Sequence, residues 1–134
     1  MTVVIVDYAG LGGPEKGSRK VPGRLSGKFV QIRNGDKEYL VFSTADRAPY
    51  HADIVRLLCR EKGLDGVYDE GRKRFDISEP GWIIAGGGKF EIDGVQRYVR
   101  FYDNSMAYGR FDSGQLKEKL HSADMLKGFE IRIE

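Results

Sequence analysis

The chain has 134 residues and a formal net charge of +2, with 40% hydrophobic and 31% charged residues. These values suit one folded domain over residues 1–134 and exclude a disordered or membrane-embedded chain. The small net charge argues against a nucleic-acid-binding protein, which would carry a strongly basic face. The chain has a single cysteine and no signal-peptide core or spanning segment, so we expect a cytoplasmic protein in a reducing compartment.

The first half of the chain is predicted to form three strands and a helix. Residues 3–6 are an apolar run typical of a buried strand, and residues 10–27 are a glycine-rich, basic surface loop. Residues 28–33 and 37–42 flank Asn34-Gly35-Asp36, which predicts a hairpin. A helix is expected over residues 50–62, with Pro49 at its first position and Gly63 as its terminator.

The second half predicts further strands and a short helix. Residues 67–68 and 75–77 are candidates to pair around Gly71, and residues 82–85 are an apolar segment that three glycines separate from the strand predicted over residues 89–92. Asp93-Gly94 predicts a hairpin joining residues 89–92 to residues 95–102. Asp112 or Ser113 can cap a short helix that carries Leu116 and Leu120, and residues 129–133 alternate like a half-buried strand. The order predicts an α+β fold: a single domain with a mixed sheet of about six strands and two main helices packed against it.

Several catalytic signatures are missing from this sequence. It has neither a phosphate-binding P-loop nor a Cys-x5-Arg loop, and its two histidines and one cysteine are too few for a structural zinc site. We therefore expect no metal and no cofactor. His51 stands out because it falls in the first turn of the predicted helix, where the positive end of the helix dipole disfavours a protonated imidazole. A neutral imidazole can act as a base or a nucleophile, although position alone favours the simpler interpretation that His51 is an exposed residue at a helix start.

Three other segments have both functional and ordinary readings. The segment 104–109 combines a hydroxyl with small residues and suits an anion-binding turn, or is a plain loop. Three glycines before Lys89 allow close backbone approach, or mark a flexible turn. Lys28 is either a phosphate ligand or a solvated strand end.

Taken together, four islands resemble the small phosphohistidine phosphatase family, also called the Janus/Ocnus family. They occur in the family's order and are Lys28-Phe29-Val30-Gln31-Ile32-Arg33, Tyr50-His51-Ala52-Asp53-Ile54, Gly86-Gly87-Gly88-Lys89 and Ser105-Met106-Ala107-Tyr108-Gly109. The resemblance implies a metal-independent hydrolase that removes phosphate from histidine in proteins, with phospholysine as a further candidate substrate.

The resemblance also implies roles for individual residues. His51 is the catalytic residue, and the phosphate-binding residues are Lys28, Lys89, Ser105, Met106 and Ala107. The side chain of Met106 is expected to pack, while Tyr50 and Tyr108 are expected to line the cleft. The partner is then a histidine-phosphorylated protein, and the enzyme is expected to be a monomer.

Two departures from the family pattern bear on activity. Ser43 stands where family members have an arginine, eight residues before the histidine, and Arg47 is a candidate replacement. Residues 65–81 form a longer stretch than the family has, which could add a hairpin beside the site. The loss of the arginine leaves open a non-catalytic phosphate- or phosphoprotein-binding module of the same fold. A binder of nucleic acid or an acidic partner through the basic loop is disfavoured, because that loop lacks aromatic residues for stacking.

Overall fold

The computed structural model of the chain describes residues 2–11, 23–121 and 123–134. In chain order, the elements are β1 (Thr2–Tyr8), β2 (Leu25–Asn34), β3 (Lys37–Ser43), α1 (His51–Lys62), β4 (Gly66–Asp69), β5 (Arg74–Ile77), β6 (Trp82–Asp93), β7 (Tyr98–Tyr102), α2 (Leu116–His121) and β8 (Glu130–Ile133). Six of the strands form one sheet in the order β1-β3-β2-β6-β7-β8, while β4 and β5 form a separate hairpin. The predicted α+β fold, with one mixed six-stranded sheet and two helices, is confirmed.

The two faces of the sheet bury different side chains because successive residues of a strand point to opposite faces. On one face, Val30 and Val41 pack with Ile54 and Leu58 of α1. On the other face, Phe29, Phe42 and their neighbours pack with Leu116 and Leu120 of α2. The central strands β2 and β3 are therefore buried on both sides, which makes them a rigid base for residues that project from them.

Local turn chemistry explains the elements that were predicted best. Gly35 has a φ of +61° in the turn between β2 and β3, and the two strands pair from Asn34↔Lys37 outward. Gly63 ends α1 with a φ of +67°, and the peptide N–H groups that follow the helix bond back to the Cys59 carbonyl. Both positions need the left-handed backbone region that glycine adopts without steric cost.

Three strand predictions were wrong in their limits. The predicted loop 10–27 ends earlier, because β2 begins at Leu25 and pairs with the far end of β6. The segment 82–92 is one continuous strand, β6, since the three glycines stay hydrogen-bonded to β2 with an irregularity after Gln31. The second hairpin turn is longer than two residues, because the Asp93 carboxylate accepts the N–H groups of Val95 and Gln96 and delays β7 to Tyr98.

The predicted helix starts also needed correction. Tyr50 is the extended residue before α1, so Pro49 lies outside the helix rather than at its first position. The Tyr50 N–H donates to the Asp53 carboxylate at 3.1 Å, which caps the helix start. Helix α2 begins at Leu116, later than a cap at Asp112 or Ser113 would place it, and Asp112 instead bonds Gly114 and Arg33.

Most of the predicted basic loop, residues 12–22, lies outside the described residues. Within the ranges that the structure describes, no helix is long and apolar enough to cross a membrane.

Candidate functional site

His51 is the first residue of α1 and lies against β6. Its side chain is buried, with 8% of the residue exposed, and Nε2 lies 2.9 Å from the carbonyl oxygen of Gly88. A carbonyl only accepts hydrogen bonds, so Nε2 carries the proton in this contact. In the neutral ring Nδ1 is then the nitrogen with a lone pair, and it is the atom that can accept a proton or attack an electrophile.

The glycines of β6 let the His51 ring approach the sheet. A Cβ at Gly87 would lie 2.8 Å from Cδ2 of His51, closer than real Cβ atoms come to other atoms. The neighbouring glycines are each close to a different backbone segment. A Cβ at Gly86 would clash with the Arg110 backbone, and one at Gly88 would clash with the Tyr102 carbonyl oxygen. The close-approach reading of these glycines therefore holds, and the flexible-turn reading does not.

Lys28 and Lys89 are direct cross-strand partners on the face of the sheet that carries α1. Their pairing extends into a row across five strands, in the order Tyr8, Ser43, Lys28, Lys89 and Tyr102. Two residues further along these strands, Gly87 pairs with Val30 directly below the His51 ring. The structure thus brings the two predicted phosphate-binding lysines together, two residues along the sheet from the predicted catalytic histidine.

Each of these lysines has a partner within the protein. Lys28 Nζ donates to the Pro49 carbonyl at 2.7 Å and lies 5.5 Å from the centre of the Tyr50 ring. Lys89 Nζ lies 3.0 Å from Oδ2 of Asp103. The first contact orients a cation toward the start of α1, and the second places a carboxylate where it would compete with an anionic ligand for Lys89.

The electrostatic surroundings keep His51 neutral. Burial lowers the pKa of His51 below its ordinary value of 6.5, the bond to Gly88 opposes this shift, and the positive charges of Lys28 and Lys89 add to it. Asp103 acts in the opposite direction, and its own carboxyl pKa is lowered chiefly by the bond to Lys89. His51 is therefore an unprotonated base at neutral pH.

The remaining predicted site residues lie between residues 105 and 109, a segment that we call the 105–109 loop. Ser105 is buried, its N–H and C=O both bond to Gly109, and its hydroxyl accepts the Tyr108 N–H at 3.1 Å. Its own N–H is thus used within the loop, while the N–H groups of Met106 and Ala107 have no recorded acceptor among the described residues. These two N–H groups are the ones available to an anion.

The same loop is attached to the glycines beneath His51. The Gly87 N–H donates to the Gly109 carbonyl at 3.0 Å, and the Gly87 carbonyl accepts the Phe111 N–H at 3.2 Å. The expectation that Met106 packs was wrong, because its side chain is fully exposed at the tip of the loop. Tyr50 is also largely exposed beside His51, whereas Tyr108 is half-buried and bonded to β5.

Sequence reasoning missed the partners that hold these residues. The partners of His51 and Lys28 are the backbone carbonyls of Gly88 and Pro49. Backbone carbonyls occur in every residue, so the sequence does not indicate which of them will bind a side chain. Asp103 stood next to a predicted strand end, and its φ of +65° marks a strained position for a residue other than glycine. Ser43, at the position where the resemblance implies an arginine, is buried and donates to the Thr44 carbonyl. Arg47 lies over the Tyr8 ring instead, at the β1 end of the row.

Comparison with known proteins agrees with this reading at the level of the family. No curated protein matches the chain. The model of the Janus/Ocnus family matches residues 27–127, which is well over half of the chain and includes every predicted site residue. The chain therefore belongs to the Janus/Ocnus family.

Proposed function

We propose that this protein is a metal-independent protein phosphohistidine phosphatase in which His51 does the chemistry, with phospholysine as a second substrate. The observation that carries the proposal is the placement of His51, which is buried and bonded through Nε2 to the Gly88 carbonyl, where burial lowers its pKa. That arrangement leaves Nδ1 as a base or nucleophile above Gly87, two residues along the strands from the Lys28–Lys89 pair. An imidazole near two ammonium groups suits a reaction on an anionic phosphoryl group.

Recognition of the phosphoryl oxygens would come from charge and from backbone N–H groups. Lys28 and Lys89 supply two cations, although Lys89 must first exchange its bond with Asp103 for one with phosphate. The N–H groups of Met106 and Ala107, and those that begin α1, supply uncharged donors. Because the N–P bond of phosphohistidine is labile, positioning and charge stabilisation supply most of the required catalysis.

Two roles for His51 fit this geometry. As a base, Nδ1 takes a proton from the water that attacks phosphorus, and the N–P bond breaks as its electron pair goes to the leaving imidazole. As a nucleophile, Nδ1 attacks phosphorus itself while the substrate's N–P bond breaks, and the leaving imidazole keeps the electron pair of that bond and takes a proton from water. A second water then hydrolyses the phospho-His51 formed, which releases inorganic phosphate and restores the neutral ring. A single-turnover reaction with labelled phosphohistidine distinguishes them, because transient label on His51 requires nucleophilic attack and its absence at every time point favours the base.

A second candidate function is a phosphate- or phosphoprotein-binding module without turnover. The buried Ser43 in place of the family arginine favours it, since one cation of the family site is missing at that position. Arg47 lies over Tyr8, two strands from Lys28, or about 10 Å at ordinary strand spacing. The site then depends on Lys28 and Lys89 for its positive charge.

Release of inorganic phosphate from a histidine-phosphorylated protein, with a chelator present, tests the proposal. The phosphatase account predicts release that the chelator does not reduce. Binding of the phosphorylated protein without release would support the binding module. A parallel reaction with phospholysine shows whether the site accepts both phosphoramidates.

A further inference from the structure

The hairpin formed by β4 and β5 connects the two parts of the candidate site. It packs on α1, where the Arg56 guanidinium lies 5.8 Å from the centre of the Phe75 ring. On its other side it contacts the 105–109 loop through Tyr108 and Ala107. The hairpin thus lies against both the helix that begins with His51 and the loop with the available N–H groups.

The Tyr108 hydroxyl makes two hydrogen bonds to a single residue of β5. It accepts the Phe75 N–H at 2.8 Å and donates to the Phe75 carbonyl at 2.7 Å. Burial raises the pKa of Tyr108 to about 12, so the hydroxyl stays protonated and can do both at neutral pH. One side chain of the loop therefore occupies the outer edge of β5 in place of a neighbouring strand.

Arg74 fixes a second point of the loop. Its Nη1 donates to the Ala107 carbonyl at 3.4 Å, and its guanidinium lies 5.1 Å from the centre of the Tyr108 ring. The Asp76 carboxylate orients the guanidinium through an ion pair of 2.7 Å between Nη2 and Oδ1. The Tyr108 N–H is held at the same time by the Ser105 hydroxyl. Both polar atoms of the peptide unit between Ala107 and Tyr108 are thus engaged, which determines how the preceding N–H groups are presented.

We propose that the β4–β5 hairpin is a positioning element that holds the 105–109 loop in its anion-binding conformation through Tyr108 and Arg74. This inference rests on the proposed function for the identity of the anion, a phosphoryl group. Tyr108 and Arg74 act through the N–H groups of Met106 and Ala107, so they are positioning residues without contact to the reacting atoms. Their removal weakens phosphate binding and leaves the titration of His51 unchanged.

Tyr108→Phe tests the inference because it keeps the ring and deletes only the hydroxyl. Tyr68→Phe is the matched control, since Tyr68 pairs with Phe75 on the same hairpin and lies against Arg56. The probe is inorganic phosphate, followed through the amide resonances of Met106 and Ala107. We expect Tyr108→Phe to weaken phosphate binding tenfold or more, within the limit of about 100-fold for a displacement of 1 Å. Tyr68→Phe should bind like the wild type.

A second variant separates positioning from loss of the fold. Arg74→Met removes the bond to Ala107 without touching the Tyr108 hydroxyl, and it should also raise KM more than it lowers kcat. Wild-type phosphate affinity in folded Tyr108→Phe would overturn the inference, as would a wild type whose Met106 and Ala107 amides do not respond to phosphate. If phosphate binding weakens as expected but the wild type releases no phosphate from phosphohistidine, the positioning role stands and the proposed phosphatase does not.

Discussion

Replacing Gly87 by alanine should displace His51 and reduce turnover. The added Cβ would lie 2.8 Å from Cδ2 of His51 and 2.8 Å from the Phe29 carbonyl oxygen. The strand backbone is fixed by its pairing, so the imidazole must move by roughly 0.7 Å to reach an ordinary carbon–carbon separation of about 3.5 Å. A movement of that size along the Nε2···O direction stretches the 2.9 Å bond to Gly88 beyond hydrogen-bonding distance.

The expected magnitudes follow from this displacement. Inserting a methyl group into a closely packed position costs about 1–3 kcal/mol of unfolding free energy. Misplacing a reacting group by nearly 1 Å lowers the rate by up to about 100-fold. Strand propensity alone would predict the opposite sign for stability, since glycine is unfavourable within a strand.

The assay combines urea unfolding, initial rates of phosphate release and nitrogen NMR of the His51 ring. Gly71→Ala is the matched control, because the nearest atom to its added Cβ is a flexible carboxylate oxygen at 3.4 Å. A Gly87→Ala variant that keeps the wild-type rate and the Nε2-protonated ring would refute the packing argument.

Three further outcomes are expected. Burial lowers the pKa of His51 below 6.5 in the folded protein, so the unfolded chain binds the proton more readily and the free energy of unfolding should fall as the pH drops below 6.5. Replacing Lys28 by methionine should raise the pKa of His51 in an NMR titration, because the Lys28 charge lowers it. A His51 pKa that does not change in Lys28→Met would contradict the electrostatic account. Asp103→Asn frees Lys89 and should tighten inorganic phosphate binding roughly two- to fivefold in a calorimetric titration, less at high salt, whereas weaker binding would count against competition. Gln31→Leu removes a fully buried amide that bonds the backbone after the 105–109 loop, and should cost about 1–3 kcal/mol in urea unfolding; wild-type stability would show that those bonds do not matter.

The parts of the fold that were predictable depend on short-range chemistry. The turn at Asn34-Gly35 was predictable from that dipeptide, because Gly35 adopts the positive φ that the turn needs. The end of α1 was predictable from Gly63, because glycine readily adopts the left-handed conformation that ends a helix. Strand order was not predictable, because β1 pairs in parallel with β3 and β7 pairs in parallel with β8 through long connections. No local pattern in the sequence encodes which strands become neighbours across such distances.

The candidate site divides in the same way. The identity of His51 and of the two lysines came from the family motifs, while the bond from His51 to Gly88 joins residues 37 positions apart. The competition from Asp103 and the exposure of Met106 depend on tertiary geometry, which residue types alone do not reveal. The contact between residues 65–81 and the 105–109 loop depends on tertiary geometry in the same way, because the Tyr108 hydroxyl bonds the Phe75 backbone of β5.

The central claim is tested most directly by comparing the chain's two histidines in one assay. His51→Ala and His121→Ala are made in parallel, since His121 is an exposed residue at the end of α2. Phosphate release from a histidine-phosphorylated protein is then measured with chelator present. The account predicts that release is lost in His51→Ala and retained in His121→Ala. Release that survives in a folded His51→Ala variant would contradict it.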